Sequence, residues 1–247
     1  VHVAQINIGT MIAPTDDPSV AEFMDNLERI NAQADAAPGF VWRLQAEDGN
    51  ATSIQIFPNP LQLVNMSVWE SVAALKAYVY RTEHVEFFRR RAEWFESDAK
   101  RVALWWIPAG TTPELDDAVR RVEFLERHGP TPYAFGFGLP PAPLVFEPAE
   151  PADSQILDLV STSNPGMLAR IRGADSRTRM IQARHDGALI GCGVVHPIDR
   201  NIAAADVAFV DAQIRDGMIG AALLDQLELN AARSGLTDLR PAEQFPG

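Results

Sequence analysis

A chain of 247 residues, 47% hydrophobic and 22% charged, has the composition of an ordinary soluble globular protein and the length of one large or two small domains. Its net charge of −12 opposes nucleic acid phosphates, and no basic tract offsets it. No apolar run approaches the ~20 residues that span a bilayer, and the opening VHVAQINIG lacks the basic flank and long apolar stretch of an export signal.

No membrane or nucleic acid partner is therefore expected, and the expected location is cytoplasmic. The single cysteine, Cys192, excludes an internal disulfide and a multi-cysteine metal site. It lies in ALIGCGVV, a buried-strand pattern with no flanking charge to activate a thiolate. The five histidines show no HxxxH or HExxH spacing, so no metal is expected. Arg89, Arg90 and Arg91 sit among acids on a helix, as on a solvated face; the alternative for them is an anion site.

In chain order, Ala4 to Ile8 alternate apolar and polar and predict a strand. Residues 18–36 place Val20, Phe23, Met24, Leu27, Ile30 and Ala34 at helical spacing behind Asp16 and Asp17, which suit an N-cap. FVWRLQ predicts a second strand. Residues 47–60 read as a long loop in which Ser53 to Phe57 alternate and predict a short edge strand.

The chain is organised around residues 61–110, which hold four of the five tryptophans and two of the three tyrosines. LQLVNMSVW predicts a third strand. Ser71 suits the cap of the following helix, and Thr82 the cap of a second helix carrying Val85, Phe88, Ala92 and Phe95. VALWWIP predicts a fourth strand. The order β-α-β-β-α-β is that of a ferredoxin-like α+β domain, and residues 114–128 add an amphipathic helix. One face of such a sheet is left bare, which predicts a homodimer packed sheet on sheet through the N-terminal domain.

Five prolines between residues 138 and 153 predict an extended linker. The expected division is a first domain over 1–138, a linker over 139–152 and a second domain over 153–247. From Pro151 on there are twelve acids against nine arginines, a net of −3, so most of the negative charge belongs to the first domain. The second domain begins with a helix broken at Asn164-Pro165. A hairpin follows, turning at Asp186-Gly187, then the strand IAAADVAFV, a helix ending at Gly235 and a further strand from LTDLR.

Two constellations carry chemistry. In the first, His84 opens a helix beside Trp69, Trp94, Trp105 and Trp106. These residues form a candidate ligand pocket, with His84 as acid–base group or axial ligand, or a core in which the histidine bonds backbone. In the second, ADVAFV-DAQIRDGMIG-AALLDQLE is strand, turn and helix. Its amides suit an oxyanion, and Gly217 and Gly220 let a pyrophosphate approach, although an ordinary tight turn explains them equally.

VNMSVWES…LKAYVYRTEHVEFFRRRAEWF…LWWIPAG, with AQINIG and GFVWRLQAEDG, resembles a bacterial family known only as a domain of unknown function. That family is related to the antibiotic-biosynthesis-monooxygenase-like dimeric α+β barrels. The resemblance covers about residues 2 to 138 and implies the ferredoxin-like fold and a dimer built on sheet faces. It implies no single reaction, since relatives include haem-degrading enzymes and cofactor-free oxygenases.

RHDGALIGCGVV…ADVAFV…RDGMIGAALLDQLELNAARSGLTDL resembles the GNAT acetyltransferases, whose turn Q/R-x-x-G-x-G/A binds the pyrophosphate of acetyl-CoA. Arg215 and Gly220 match the ends of that motif, and Met218 stands where its middle glycine belongs. The resemblance implies cofactor contacts at Val207, Phe209, Arg215, Gly217, Met218, Ile219, Gly220 and Ala221, with Asp206 as base toward an amine. It covers about two-thirds of that fold, so a partial GNAT-like domain is expected. The tyrosine that often protonates the leaving thiolate is not found in it; the last tyrosine, Tyr133, is expected in the first domain. The function expected is acetyl-CoA binding with N-acetyl transfer to a small-molecule amine. The alternative is a small hydrophobic ligand or oxygenase chemistry in the first domain beside a degenerate second one.

Overall fold

The computed structural model describes residues 1–47, 49–81, 84–96 and 101–242, apart from the side chains of His84, Glu86, Phe88, Arg215 and Asp216. The chain forms two compact units. One is Val1–Pro130 with Ala134–Pro140, and the other is Thr131–Tyr133 with Pro141–Gly247.

In the first unit the order is β1 (His2–Thr10), α1 (Ala21–Asp35), β2 (Phe40–Arg43), β3 (Gln62–Trp69), α2 (Val72–Arg81), α3 (His84–Arg90), β4 (Arg101–Ile107) and α4 (Leu115–His128). The sheet order is β2-β3-β1-β4 with every neighbour antiparallel, which is the ferredoxin-like α+β topology. Local chemistry sets the helix starts. Asp17 accepts from the Ser19 amide with Pro18 at the first position of a short 3-10 turn that leads into α1. Ser71 Oγ accepts from the Ala74 amide at the start of α2. In α4, Asp116 and Asp117 occupy the first turn and Arg127 and His128 the last, matching the helix dipole at both ends. Thr82, the expected cap of α3, lies outside the described residues.

Strand alternation sorts this sheet into two unlike faces. Ala4, Ile6, Ile8, Val64, Met66, Val68, Ala103 and Trp105 form a dry layer against Ala118 and Val122 of α4, with Leu44, Ile54 and Phe57 at its margin. This corrects two expectations. Ser53 to Phe57 add no strand; Ile54 and Phe57 pack onto the layer from irregular backbone. Nor is this sheet face bare: α4 covers it, and the inference of a sheet-on-sheet homodimer loses its premise. The opposite face carries Val3, Gln5, Asn7 and Gly9 of β1 beneath α1, α2 and α3.

The second unit comprises β5 (Leu144–Pro148), α5 (Ser154–Ser163), α6 (Pro165–Arg172), β6 (Arg179–His185), β7 (Ala188–Pro197), β8 (Ile202–Phe209), α7 (Ala212–Asp216), α8 (Met218–Arg233) and β9 (Asp238–Pro241). Its sheet runs β5-β6-β7-β8-β9, antiparallel until the β8–β9 pair, which is parallel and joined through α8. Asp186 and Gly187 both take positive φ, 50° and 83°, as the two-residue hairpin between β6 and β7 requires. Asn164 ends α5, accepts from the Met167 amide and puts Pro165 at the first position of α6.

The linker expected over 139–152 is corrected in part. Leu144 to Glu147 is a proline-free run whose first two residues are buried, and Pro148 closes it at the sheet edge, where a missing N–H is tolerated. Tyr133 also departs from its expected place, because Thr131–Tyr133 belongs to the second unit. There its hydroxyl donates to Asp225 Oδ2 at 2.6 Å and accepts from Gln226 Nε2 at 2.7 Å, with the ring edge-on to Phe146.

Candidate functional site

The helix-covered face of the first sheet does not close. Alternate positions of β1 and β3 there are polar (Gln5, Asn7, Asn65 and Ser67), and a cleft of about 240 Å³ remains between them and the helices. Its walls are aromatic. Trp69 stacks on Tyr78 at 5.1 Å and meets Phe40 edge-on at 5.3 Å. Farther along, Trp94 stacks on Phe87 at 5.8 Å beside Phe23.

A short relay orients the floor. Trp69 Nε1–H donates to Ser67 Oγ at 3.0 Å, and Ser67 Oγ–H donates to Gln5 Oε1 at 3.2 Å. Gln5 is 8% exposed, and its Nε2 makes no hydrogen bond among the described residues. A donor amide is thus presented to the cleft by residues that are themselves buried. Beside it, Asn7 Oδ1 is buried without a partner among the described residues. The rim is fixed by Arg43, which donates to both oxygens of Asp35 and to the Gly49 carbonyl, and by Asn31 bonded to Asn50. Tyr78 donates to the Ile30 carbonyl. Burial, and then the Asp35 carboxylate, push its phenol well above the ordinary range, with Arg43 opposing, so it stays protonated.

Of the residues expected around this pocket, Trp69 and Trp94 line it. Trp105 does not. It pairs with Ala4 and therefore faces the dry layer, 5.4 Å beneath the Arg121 guanidinium. Adjacent strand residues point to opposite faces, and Trp105 and Trp106 divide accordingly. His84 opens α3, and its side chain lies outside the described residues. The sequence signal for the polar floor is the alternation of Gln5 and Asn7 with Ile6 and Ile8, which looks the same for a floor and for a wet sheet face.

In the second unit, Gly217 is the N-cap of α8 and Met218, Ile219, Gly220 and Ala221 form its first turn, so amides without intrahelical partners gather there. Met218 is exposed and Gly220 buried. Arg215 belongs to α7, and its side chain lies outside the described residues. Phe209 is buried against Leu223 and Leu227. The positions expected to meet the pantetheine and the amine are engaged by this chain. Asn164 Nδ2 donates to the Val207 carbonyl at 3.0 Å. Asp206, 8% exposed, accepts from Arg170 Nη1 at 2.9 Å, and Arg170 Nη2 donates to the Ala242 carbonyl. Cys192 is fully buried, and burial pushes its thiol up to about 12, as in an inert core residue.

Among the described residues no helix is long and apolar enough to cross a membrane. A comparison with the curated proteins finds no match. Among solved structures, SnoaB, a cofactor-independent oxygenase from Streptomyces nogalater, is 20% identical over 46% of this chain and 98% of its own, with a TM-score of 0.31. A dabb family protein with a ferredoxin-like fold from Mesorhizobium loti is 18% identical over 44% of this chain and 98% of its own, with a TM-score of 0.33. A GNAT family acetyltransferase from Elizabethkingia anophelis, with acetyl-CoA bound, is 21% identical over 39% of this chain, with a TM-score of 0.34. This chain spans 62% of that acetyltransferase. The family model described as a domain of unknown function, DUF3291, matches residues 2–147. With more than half of its length matched, the chain belongs to the DUF3291 family.

Proposed function

We propose that the first unit is a small-molecule binding domain whose cleft takes a flat, carbonyl-bearing organic ligand. The observation that carries this reading is the Trp69–Ser67–Gln5 relay, which leaves the Gln5 Nε2 donor free at the base of an aromatic-walled cleft. A ligand oxygen accepting there would satisfy a buried amide, and the rings would pack on its faces. His84 is the candidate acid–base group should the bound molecule react, and oxygenase chemistry is the corresponding reaction class.

Titration with a hydroxynaphthoquinone, followed by tryptophan fluorescence, tests the binding, because Trp69 and Trp94 line the cleft. Saturable quenching that weakens about tenfold in Gln5→Leu is expected, the cost of about one hydrogen bond. Quenching that rises linearly, and identically in the variant, would sink the reading.

A second reading, acetyl-CoA binding by the second unit, is favoured by the start of α8, where Met218, Ile219 and Gly220 form the first turn, and the amides of a helix's first turn suit an oxyanion. The residues beyond that turn do not fit the cofactor as they stand, since Asn164 holds the Val207 carbonyl and Arg170 holds Asp206. No transfer to an amine is derived from them. Calorimetry with acetyl-CoA on the whole chain and on Gly220→Trp separates the readings: saturable binding lost in the variant would establish a cofactor site.

A further inference from the structure

A second cleft, of about 440 Å³, lies in the second unit where the start of β6, the β7–β8 turn and the last turn of α8 meet. Arg177, Arg179, Arg200 and Arg233 line it, with Asp199 as its carboxylate and Asn230 as a neutral donor and acceptor. It lies at the opposite end of the sheet from the β8–α8 turn. β8 runs away from Arg200 toward Phe209, and α8, 16 residues and so about 24 Å long, returns to Arg233.

A net positive cleft on a unit with fourteen acids against nine arginines, a net of −5, needs a cause. The carbonyl end of α8 favours a cation, which accounts for Arg233. Arg177 is paired with Asp175, 3.2 Å away. Two arginines remain. Arg179 is braced from behind, its Nη1 donating to the Ser176 and Thr178 carbonyls. That fixes the plane of the guanidinium while leaving donors unused. The Arg200 guanidinium makes no hydrogen bond or ion pair among the described residues, and Asp199 accepts from the Arg200 backbone amide. Like charges held together in a concavity focus the potential and raise the local concentration of a counter-ion. Planar guanidinium forks match the paired oxygens of phosphate and carboxylate groups.

We propose that this cleft binds a small oxyanion on the guanidinium forks of Arg179 and Arg200. Two forks lining one cleft offer paired donors to two phosphoryl or carboxylate groups at once, which suits a polyanion better than a monoanion. The volume admits a pyrophosphate-sized group together with part of the molecule that bears it.

The test is calorimetry on the whole chain at low ionic strength, with inorganic pyrophosphate in one arm and citrate in the other. Saturable binding of at least one anion is expected, weakened at least tenfold in Arg200→Glu and unchanged in Arg89→Glu, which alters the surface charge of the first unit equally. Binding of pyrophosphate alone identifies a phosphoryl ligand, and binding of citrate alone a polycarboxylate. The thermal midpoint of Arg200→Glu checks that this exposed substitution leaves the fold intact. No saturable binding of either anion at millimolar concentration overturns the proposal. Equal weakening by Arg89→Glu also overturns it, by reducing the effect to diffuse charge.

Discussion

The two sheets of this protein face the same problem, an apolar face that must be covered, and solve it differently. In the second unit both faces close. Gly191 and Gly193 of β7 have no side chain where Phe209 and Leu227 come in; a Cβ at either would stand 2.6 Å from them. Small residues opposite large ones let layers meet without a gap. In the first unit only the α4 side closes. On the other side Val3, Trp69 and Leu104 are buried, but the positions between, Gln5, Asn7, Asn65 and Ser67, are amides and a hydroxyl, which cannot be smothered by aliphatic side chains without losing their hydrogen bonds. The helices stand off, and a cleft remains. The proposed ligand would occupy the open layer; the closed one leaves no room for it.

Closing layers should be the least tolerant of change. Gly193→Val drives a branched side chain into Leu227 and should cost about 3 kcal/mol, the upper part of the overpacking range. Thermal unfolding by far-ultraviolet circular dichroism measures it, and a wild-type midpoint would show that the contact yields freely. Tyr133→Phe removes the bonds to Asp225 and Gln226 and should destabilise by about 2 kcal/mol. Urea unfolding of the variant decides whether residues 131–133 belong to the fold of the second unit.

The open layer should respond more in binding than in stability. Gln5→Leu removes an unused donor but also the acceptor of Ser67 Oγ–H, so stability should fall by only about 1 kcal/mol while ligand affinity falls about tenfold, or about 1.4 kcal/mol. A large loss of stability instead would make Gln5 a structural residue and remove the contrast between the faces. The smallest effect concerns the surface beside the cleft. Hydrogen bonds from Arg90 hold the Glu22 and Glu93 carboxyls below their ordinary value of 4.5. A depressed folded-state pKa adds stability above the unfolded value that is lost as pH falls through the folded one. The difference in urea midpoint between wild type and Glu22→Gln should therefore shrink as pH drops below 4.5, and also in high salt. A difference that persists in acid would assign it to something other than the ion pair.

The order of elements was legible because it rests on local rules. Alternation in AQINI, the caps at Asp17 and Ser71, Asn164 before Pro165 and the Asp186-Gly187 turn each act over a few residues, and each appears as expected. Of the tryptophans expected around the pocket, Trp69 and Trp94 line the cleft. Trp105 failed because an aromatic pair on one strand says nothing about which member faces which layer. Register across three strands decides that, through Ala4 opposite Trp105 and Val3 opposite Trp106. The linker failed in part because counting prolines ignores where they fall: three precede β5 and one ends it at a sheet edge.

By itself, then, the sequence determined most of the strands and helices, residues 53–57 and β5 apart, with their order and the chemistry of the turns, since neighbours along the chain settle those. Only the tertiary structure decided that α4 covers the dry face, that Asn164 and Arg170 engage Val207 and Asp206, that Gln5 presents a free donor and that four arginines share one cleft. Each of those depends on residues tens of positions apart meeting in space, and hydrophobic periodicity carries no record of which distant partner will arrive.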